Sequence, residues 1–305
     1  MRLIFIATGD IALPSFRHLL EHGPQPLALV TQPDKPIGRH QVMTPPAIKL
    51  VALEACIPVF QPLVIGDAIA ALQALQPELI VVMAYGQILR QNILTLASKA
   101  IINLHASILP KYRGAACIQA AIDSGDTETG ITAMYVVKEL DAGDIISIKT
   151  IAINANETGG TLHDRLGILA PQVLQEVIDN LTTGYATRTP QDPALSSYIS
   201  KLERQDGHLD FTQDASALER RIRAYDPWPG TYTMVLEGQH EKRLKIFPPT
   251  QVIDQPLTPG EITQNADGKI WIGCGAQALQ IASVQPEGSR RMTAEDYFRG
   301  RKREN

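Results

Sequence analysis

Residues 3–7, LIFIA, are apolar at every position and end at the turn-forming Thr8-Gly9-Asp10, after which Ile11, Phe16, Leu19 and Leu20 recur at helical spacing. A strand with apolar side chains on both faces needs cover on both faces. The pattern then repeats: a strand over 27–31, a helix near 46–55, a short strand near Val59, a helix over 67–75 and strands over 79–83 and 100–104. Strands alternating with helices predict an α/β fold built on a doubly wound, mostly parallel, Rossmann-like sheet. Ligands of such sheets sit beyond the carboxyl ends of the strands, and Asn103 and His105 fall at one of those ends.

After Gly114 the sequence predicts a helix over 115–124, β-rich runs over 131–137 and 144–151, and a long amphipathic helix over 161–182. The stretch 184–197, GYATRTPQDPALSS, has linker composition. Beyond it come a helix over 215–224 and short β-like runs between Gly and Pro turns, near 232–236, 243–247, 260–262, 269–272 and 278–284. These predict a small antiparallel β-barrel of OB-like type. The expected organisation is a first domain over 1–184, a linker over 185–205 and a barrel domain over 206–305 that ends in a charged, fraying tail. A length of 305 residues agrees with two hydrophobic cores.

No stretch approaches the roughly 20 apolar residues that span a bilayer, so no membrane association is expected. MRLIFIATGD reads as a buried first strand and not as a signal peptide, which predicts a cytoplasmic protein. The three cysteines, Cys56, Cys117 and Cys274, form no CxxC pair, and they predict neither a disulfide framework nor a metal site. Net charge is -4, so nothing attracts nucleic acid in general. Its distribution is uneven: residues 1–200 hold 13 Lys and Arg against 17 Asp and Glu, whereas residues 201–305 hold 15 against 15.

Asn103 and His105 are two apart, so on a strand both side chains point the same way. An amide can donate to the oxyanion of a tetrahedral intermediate, and an imidazole can carry a proton between an attacking amine and a leaving nitrogen. On these residues alone the pair reads more often as a satisfied structural feature. The turn-like ELDAGD at 139–144 offers Asp141 as an orienting carboxylate for His105, or as a residue that only shapes the turn.

NLHASILPKYRGAACIQAAI followed by TGITAMYVVKELDAGDII resembles the signature of the 10-formyltetrahydrofolate-dependent formyltransferases. In that family an Asn, a His two residues on and the Asp of an LD-x-G turn form the catalytic trio, and the resemblance assigns those roles to Asn103, His105 and Asp141. It further implies 10-formyltetrahydrofolate as formyl donor, no metal, and a pterin pocket from Val82, Met83, Ala84, Tyr85 and Gly86, from Ser107, Ile108, Leu109 and Pro110, and from Leu140. TQPDKPIGRHQVMTPPAIK at 31–49 is similar to the loop that members acting on initiator tRNA hold near the acceptor end, with Arg39 at the matching basic position. SYISKLERQDGHLDF at 197–211 and IRAYDPWPG at 222–230 look like the second domain of the same members. The resemblance covers the chain to about residue 286. It implies a monomer that formylates the α-amine of methionine on initiator methionyl-tRNA and so supports translation initiation.

Physically, the 32–45 segment holds four Pro or Gly breakers and the cations Lys35 and Arg39, with His40 beside them; it is expected to be a mobile basic arm, although without the resemblance a solvated surface loop is the commoner reading. Arg220, Arg221 and Arg223, with Arg290, Arg291, Arg301, Lys302 and Arg303, are candidate phosphate contacts. A formyltransferase for a nucleotide-linked amino sugar would share the trio and has no need of the arm; a noncatalytic binding module would have no need of an intact trio. Two positions depart from the family pattern: Ala7-Thr8-Gly9 stands where Gly-Thr-Pro is common, and Cys117 where Pro is usual at a helix start. No GxGxxG follows the first strand, which argues against a dehydrogenase.

Overall fold

The computed structural model describes residues 1–301 other than Arg39, Arg90 and Gly238. The chain forms two compact units. The first comprises Met1–Gly114, Thr129–Ile151 and His163–Ile199, and the second Ala115–Glu128, Ala152–Leu162 and the chain from Ser200 onward.

The first unit is built on a seven-stranded sheet in the order Ile145–Ala152, Glu128–Tyr135, Ala100–His105, Leu79–Met83, Leu3–Ala7, Ala28–Val30, Val59–Phe60. The last five of these pair in parallel, and Ala100–His105 pairs antiparallel with Glu128–Tyr135, placing Asn103 opposite Met134 and His105 opposite Thr132. All five residues of Leu3–Ala7 and of Leu79–Met83 are buried, as apolar side chains on both faces require. The helix Gly159–Thr183 fully buries Leu166, Ala170, Val173, Leu174 and Val177, one stripe at helical spacing.

The strand order reverses between Leu3–Ala7 and Leu79–Met83, the place where such sheets open a crevice. The amides of Thr8 and Gly9 both donate to the Ala84 carbonyl, at 3.3 and 3.0 Å. A Cβ at Gly9 would lie 3.0 Å from that of Ala84. The Thr8 hydroxyl accepts from the Gln32 amide at 3.1 Å, so the Ala7-Thr8-Gly9 turn is closed by its own set of bonds.

The 32–45 arm is an antiparallel hairpin, not a plain loop: Lys35–Ile37 pairs with Val42–Thr44. The breakers concealed it, since Gly38 (φ 73°) turns the chain between two short β-prone runs. At its base Asp34 accepts from Gln61 at 2.7 Å and from Lys49 at 2.8 Å, and these two partners hold the Asp34 carboxyl below its usual range.

The second unit carries an antiparallel sheet curled into a half-barrel. Its strand order is Thr231–Glu237, His240–Ile253, Ala278–Pro286, Ile270–Gly273, Ile262–Gln264, with Met292–Thr293 also on Ala278–Pro286. Strand His240–Ile253 outruns the expected 243–247. Pro248 and Pro249 bring no N–H to the ladder, the register shifts between Phe247 and Thr250, and pairing then resumes. The helix Ala215–Ala224 buries Ala215, Leu218 and Ile222 in a core with Leu244, Ile272, Leu279 and Ile281. This unit also takes in the helix Cys117–Asp123, whose first residue, Cys117, is buried.

The turn that carries Asp141 is packed without spare room. Tyr135 donates its amide to the Asp144 carbonyl at 2.9 Å, and a methyl group at Gly143 would overlap the Tyr135 carbonyl oxygen. Gly143→Ala is therefore expected to destabilise the protein by about 1–3 kcal/mol, the usual cost of overpacking. Thermal denaturation checks this, and an unchanged midpoint contradicts the packing described.

Candidate active site

Asn103 and His105 project from the end of Ala100–His105, and Asp141 comes to them from the 139–144 turn. The Asn103 Nδ2 lies 3.4 Å from Asp141 Oδ1, and His105 Nδ1 lies 3.7 Å from Asp141 Oδ2. The His105 and Asp141 side chains are only 7% and 12% exposed, so their interaction is little screened by water. The Gly114 amide donates to Asp141 Oδ2 at 2.8 Å. Asp141 itself sits at φ 50°, in the left-handed region, which Asp tolerates better than most residues.

His105 Nε2 lies 2.9 Å from the Tyr112 carbonyl oxygen. A carbonyl only accepts, so Nε2 carries a hydrogen and donates it. The other ring nitrogen, Nδ1, lies on the side of Asp141. The loop after His105 is fixed through Thr132, whose hydroxyl donates to the Ser107 carbonyl at 2.6 Å and accepts from the Leu109 amide at 3.2 Å.

The residues expected around a pterin fall into two groups. Ala84, Gly86 and Leu140 are exposed, with Ala84 at φ 48° and Gly86 at φ 84°; neighbouring Ile88 is 74% exposed. Val82, Met83, Tyr85, Ser107 and Leu109 are buried, and Ile108 and Pro110 are half-buried. The Ser107 hydroxyl donates to the Lys111 carbonyl at 2.7 Å. Among the described residues the Tyr85 hydroxyl has no hydrogen-bond partner, and burial pushes it up to about 12. Exposed apolar side chains at Ala84, Ile88 and Leu140 fit a flat heteroaromatic ring.

Of the residues expected to meet tRNA, Lys35 is exposed on the hairpin and Arg39 lies outside the described residues. The three helical arginines are already engaged. Arg220 donates to the Asp123 carbonyl at 3.1 Å, and Arg221 pairs with the Asp123 carboxylate at 3.2 Å. Arg223 bonds Glu219, at 2.6 Å, and the Glu157 carbonyl, at 2.9 Å. Near the terminus, Arg291 covers the Phe247 ring at 4.2 Å and donates to Ser283. Lys302 and Arg303 lie outside the described residues.

Sequence reasoning missed Gln191, Arg113 and Ser197. Gln191 donates to the backbone of the Asp141 turn and accepts from Arg113, and Ser197 Oγ accepts the Tyr112 amide at 2.9 Å. Gln191 carries no signal that a sequence displays, since Gln in a Pro-rich stretch looks like linker, whereas Arg113 and Ser197 lie inside the segments that carry the family resemblance. Elsewhere in this unit a groove of about 510 Å³ is lined by His18, Lys149, Gln175 and Glu176, among others. His18 meets Gln175 and Lys149 meets Glu176, so these walls are already paired. No group of three or more metal-ligating side chains occurs among the described residues, and no helix among them is long and apolar enough to cross a membrane.

Residues 1–178 match the formyl transferase family, and residues 201–302 match the formyl transferase C-terminal domain. A methionyl-tRNA formyltransferase of Akkermansia muciniphila is 49% identical over 98% of this chain and 96% of its own length. One of Geobacter metallireducens is 40% identical over 98% of this chain and 96% of its own length. Among solved structures, an N-formyltransferase from Helicobacter canadensis, in complex with folinic acid and dTDP-3-aminofucose, has a TM-score of 0.68 at 17% identity, covering 94% of this chain and 99% of its own. That likeness concerns the fold, while the two full-length relatives concern the family. With both domains matched and relatives at this identity aligned nearly end to end, the chain belongs to the methionyl-tRNA formyltransferases of the formyl transferase family.

Proposed function

We propose that this chain transfers a formyl group from 10-formyltetrahydrofolate to the α-amine of methionine on initiator methionyl-tRNA, as a cytoplasmic monomer serving translation initiation. The observation that carries this reading is the convergence of Asn103, His105 and Asp141 at one strand end, in a chain whose relatives of matching length bear that name. When bound, 10-formyltetrahydrofolate supplies the formyl carbon.

Asn103 directs one amide hydrogen at Asp141 and has a second for the oxyanion that forms as the amine attacks. His105 carries the proton given up by the attacking amine to N10 of the donor, which leaves as its bond to the formyl carbon breaks; this passes through Nδ1, because Nε2 is committed to the Tyr112 carbonyl. Asp141 holds both side chains in place and favours positive charge on the imidazole. The exposed residues Ala84, Gly86 and Leu140 receive the pterin, while Val82, Met83, Tyr85 and Ser107 to Pro110 form the frame behind it.

Residues 1–184 form the catalytic domain in this reading, residues 185–205 the connection, and residues 206–305 a tRNA-contacting domain. The hairpin presents Lys35 together with exposed Ile37, Val42 and Met43, and with Arg39 in the same stretch of sequence this combination suits phosphate and an unpaired base at once. Arg220, Arg221 and Arg223 meet phosphate only through donors left over from their internal bonds. The acceptor amine attacks as the neutral base.

His105→Ala and Asn103→Ala are each expected to lower kcat by about 100-fold or more. Transfer of labelled formyl to methionyl initiator tRNA measures this, and rates within a few fold of wild type sink the mechanism. With the amino sugar nucleotide as control acceptor, transfer to the sugar alone overturns the choice of acceptor. Arg39→Ala is expected to raise KM for the tRNA and to leave KM for the folate unchanged, with a shallower dependence of kcat/KM on salt. Equal effects on the two KM values would place Arg39 elsewhere. Arg221→Ala, by contrast, should lower the thermal midpoint, since it leaves the partly buried Asp123 carboxylate without its ion pair.

A further inference from the structure

Gln191 lies in the stretch of linker composition, yet every hydrogen-bonding position of its amide is filled within the first unit. Its Oε1 accepts from Arg113 Nε at 3.1 Å and Nη2 at 2.8 Å. Its Nε2 donates to the carbonyls of Asp141 at 2.9 Å and Gly143 at 2.8 Å. Two acceptor sites and two hydrogens are the full complement of a primary amide, so the orientation is unambiguous.

Arg113 is 5% exposed, and its guanidinium meets neutral acceptors, Gln191 Oε1 and the Tyr198 hydroxyl at 2.8 Å. Among the described residues no carboxylate pairs with it. A buried cation on an amide oxygen polarises that amide and strengthens its N–H donors. Those donors point at the two carbonyls that flank Ala142, in a turn whose first member, Asp141, is held at φ 50°. The residue after Arg113 donates its amide to the Asp141 carboxylate. Arg113-Gly114 thus grips Asp141 twice, directly at the carboxylate and through Gln191 at the backbone.

We infer that Gln191, backed by Arg113, is a positioning residue that sets the Asp141 carboxylate against Asn103 and His105. The inference rests on the proposed catalytic role of Asp141. Gln191→Glu is the discriminating variant: it keeps the shape and gains an ion pair with Arg113, but it places a bare oxygen against two carbonyl oxygens. Displacement of a reacting group by about 1 Å costs up to about 100-fold in rate. The expected result for Gln191→Glu is a kcat lowered by about 10- to 100-fold, with both KM values within about twofold of wild type. Gln191→Met, which fills the same space without donors, should show the same split.

Because the effect runs through Asp141, Asp141→Asn with Gln191→Glu should be about as slow as Asp141→Asn alone, as for residues acting as one unit. Wild-type kcat in Gln191→Glu, or losses that multiply in full in the double variant, overturns the positioning role. If neither Gln191→Glu nor Gln191→Met folds by circular dichroism, Gln191 is a folding residue and the inference also falls. A wild-type rate in Asp141→Asn alone would instead remove the catalytic reading beneath it.

Discussion

The bond from the Gly114 amide to the Asp141 carboxylate is the constraint on which the rest of the site depends. It joins the chain that leaves the Asn103 and His105 strand to a turn 38 residues beyond Asn103. The backbone at Gly114 has φ 105°, and any Cβ there would overlap the Ile199 carbonyl, so only glycine brings that N–H to the carboxylate. Ile199 is close because Tyr198–Ile199 pairs in parallel with Arg113–Gly114. One amide therefore requires the strand end, the turn and the returning segment to be in place together. The site is a property of the folded unit and has no local precursor.

That dependence explains what a reader of the sequence can and cannot see. Alternation along a strand is local, so the shared direction of Asn103 and His105 follows from their spacing, and the apolar runs at 3–7 and 79–83 announce buried strands. Asp141 is visible only through the family signature, because nothing in ELDAGD says which edge of the sheet the turn will meet. Gln191 is invisible by any route, since its partner Arg113 lies 78 residues earlier. Composition also misleads in the other direction. Arg220, Arg221 and Arg223 look like a basic surface, yet Asp123, Glu219 and Glu157 supply acceptors that only the tertiary structure brings to them. Breakers are ambiguous too: those in 32–45 turn a hairpin, and Pro248-Pro249 interrupts a strand without ending it.

The returning segment does more than join two domains. At Gln191 it holds the backbone of the Asp141 turn, and at Ser197 its hydroxyl accepts the Tyr112 amide while its carbonyl accepts the Arg113 amide at 2.8 Å. Tyr112 in turn presents the carbonyl that takes the hydrogen of His105 Nε2. The placement of Asp141 and the tautomer of His105 are therefore controlled from one stretch of chain, by two contacts six residues apart in sequence. Rotating the Tyr112 peptide would take the acceptor away from Nε2 and with it what fixes the His105 tautomer. The bonds from Ser197 oppose that rotation. A segment whose composition suggests a tether thus fixes the acceptor that keeps a hydrogen on His105 Nε2, and the chemistry proposed for the site requires that choice.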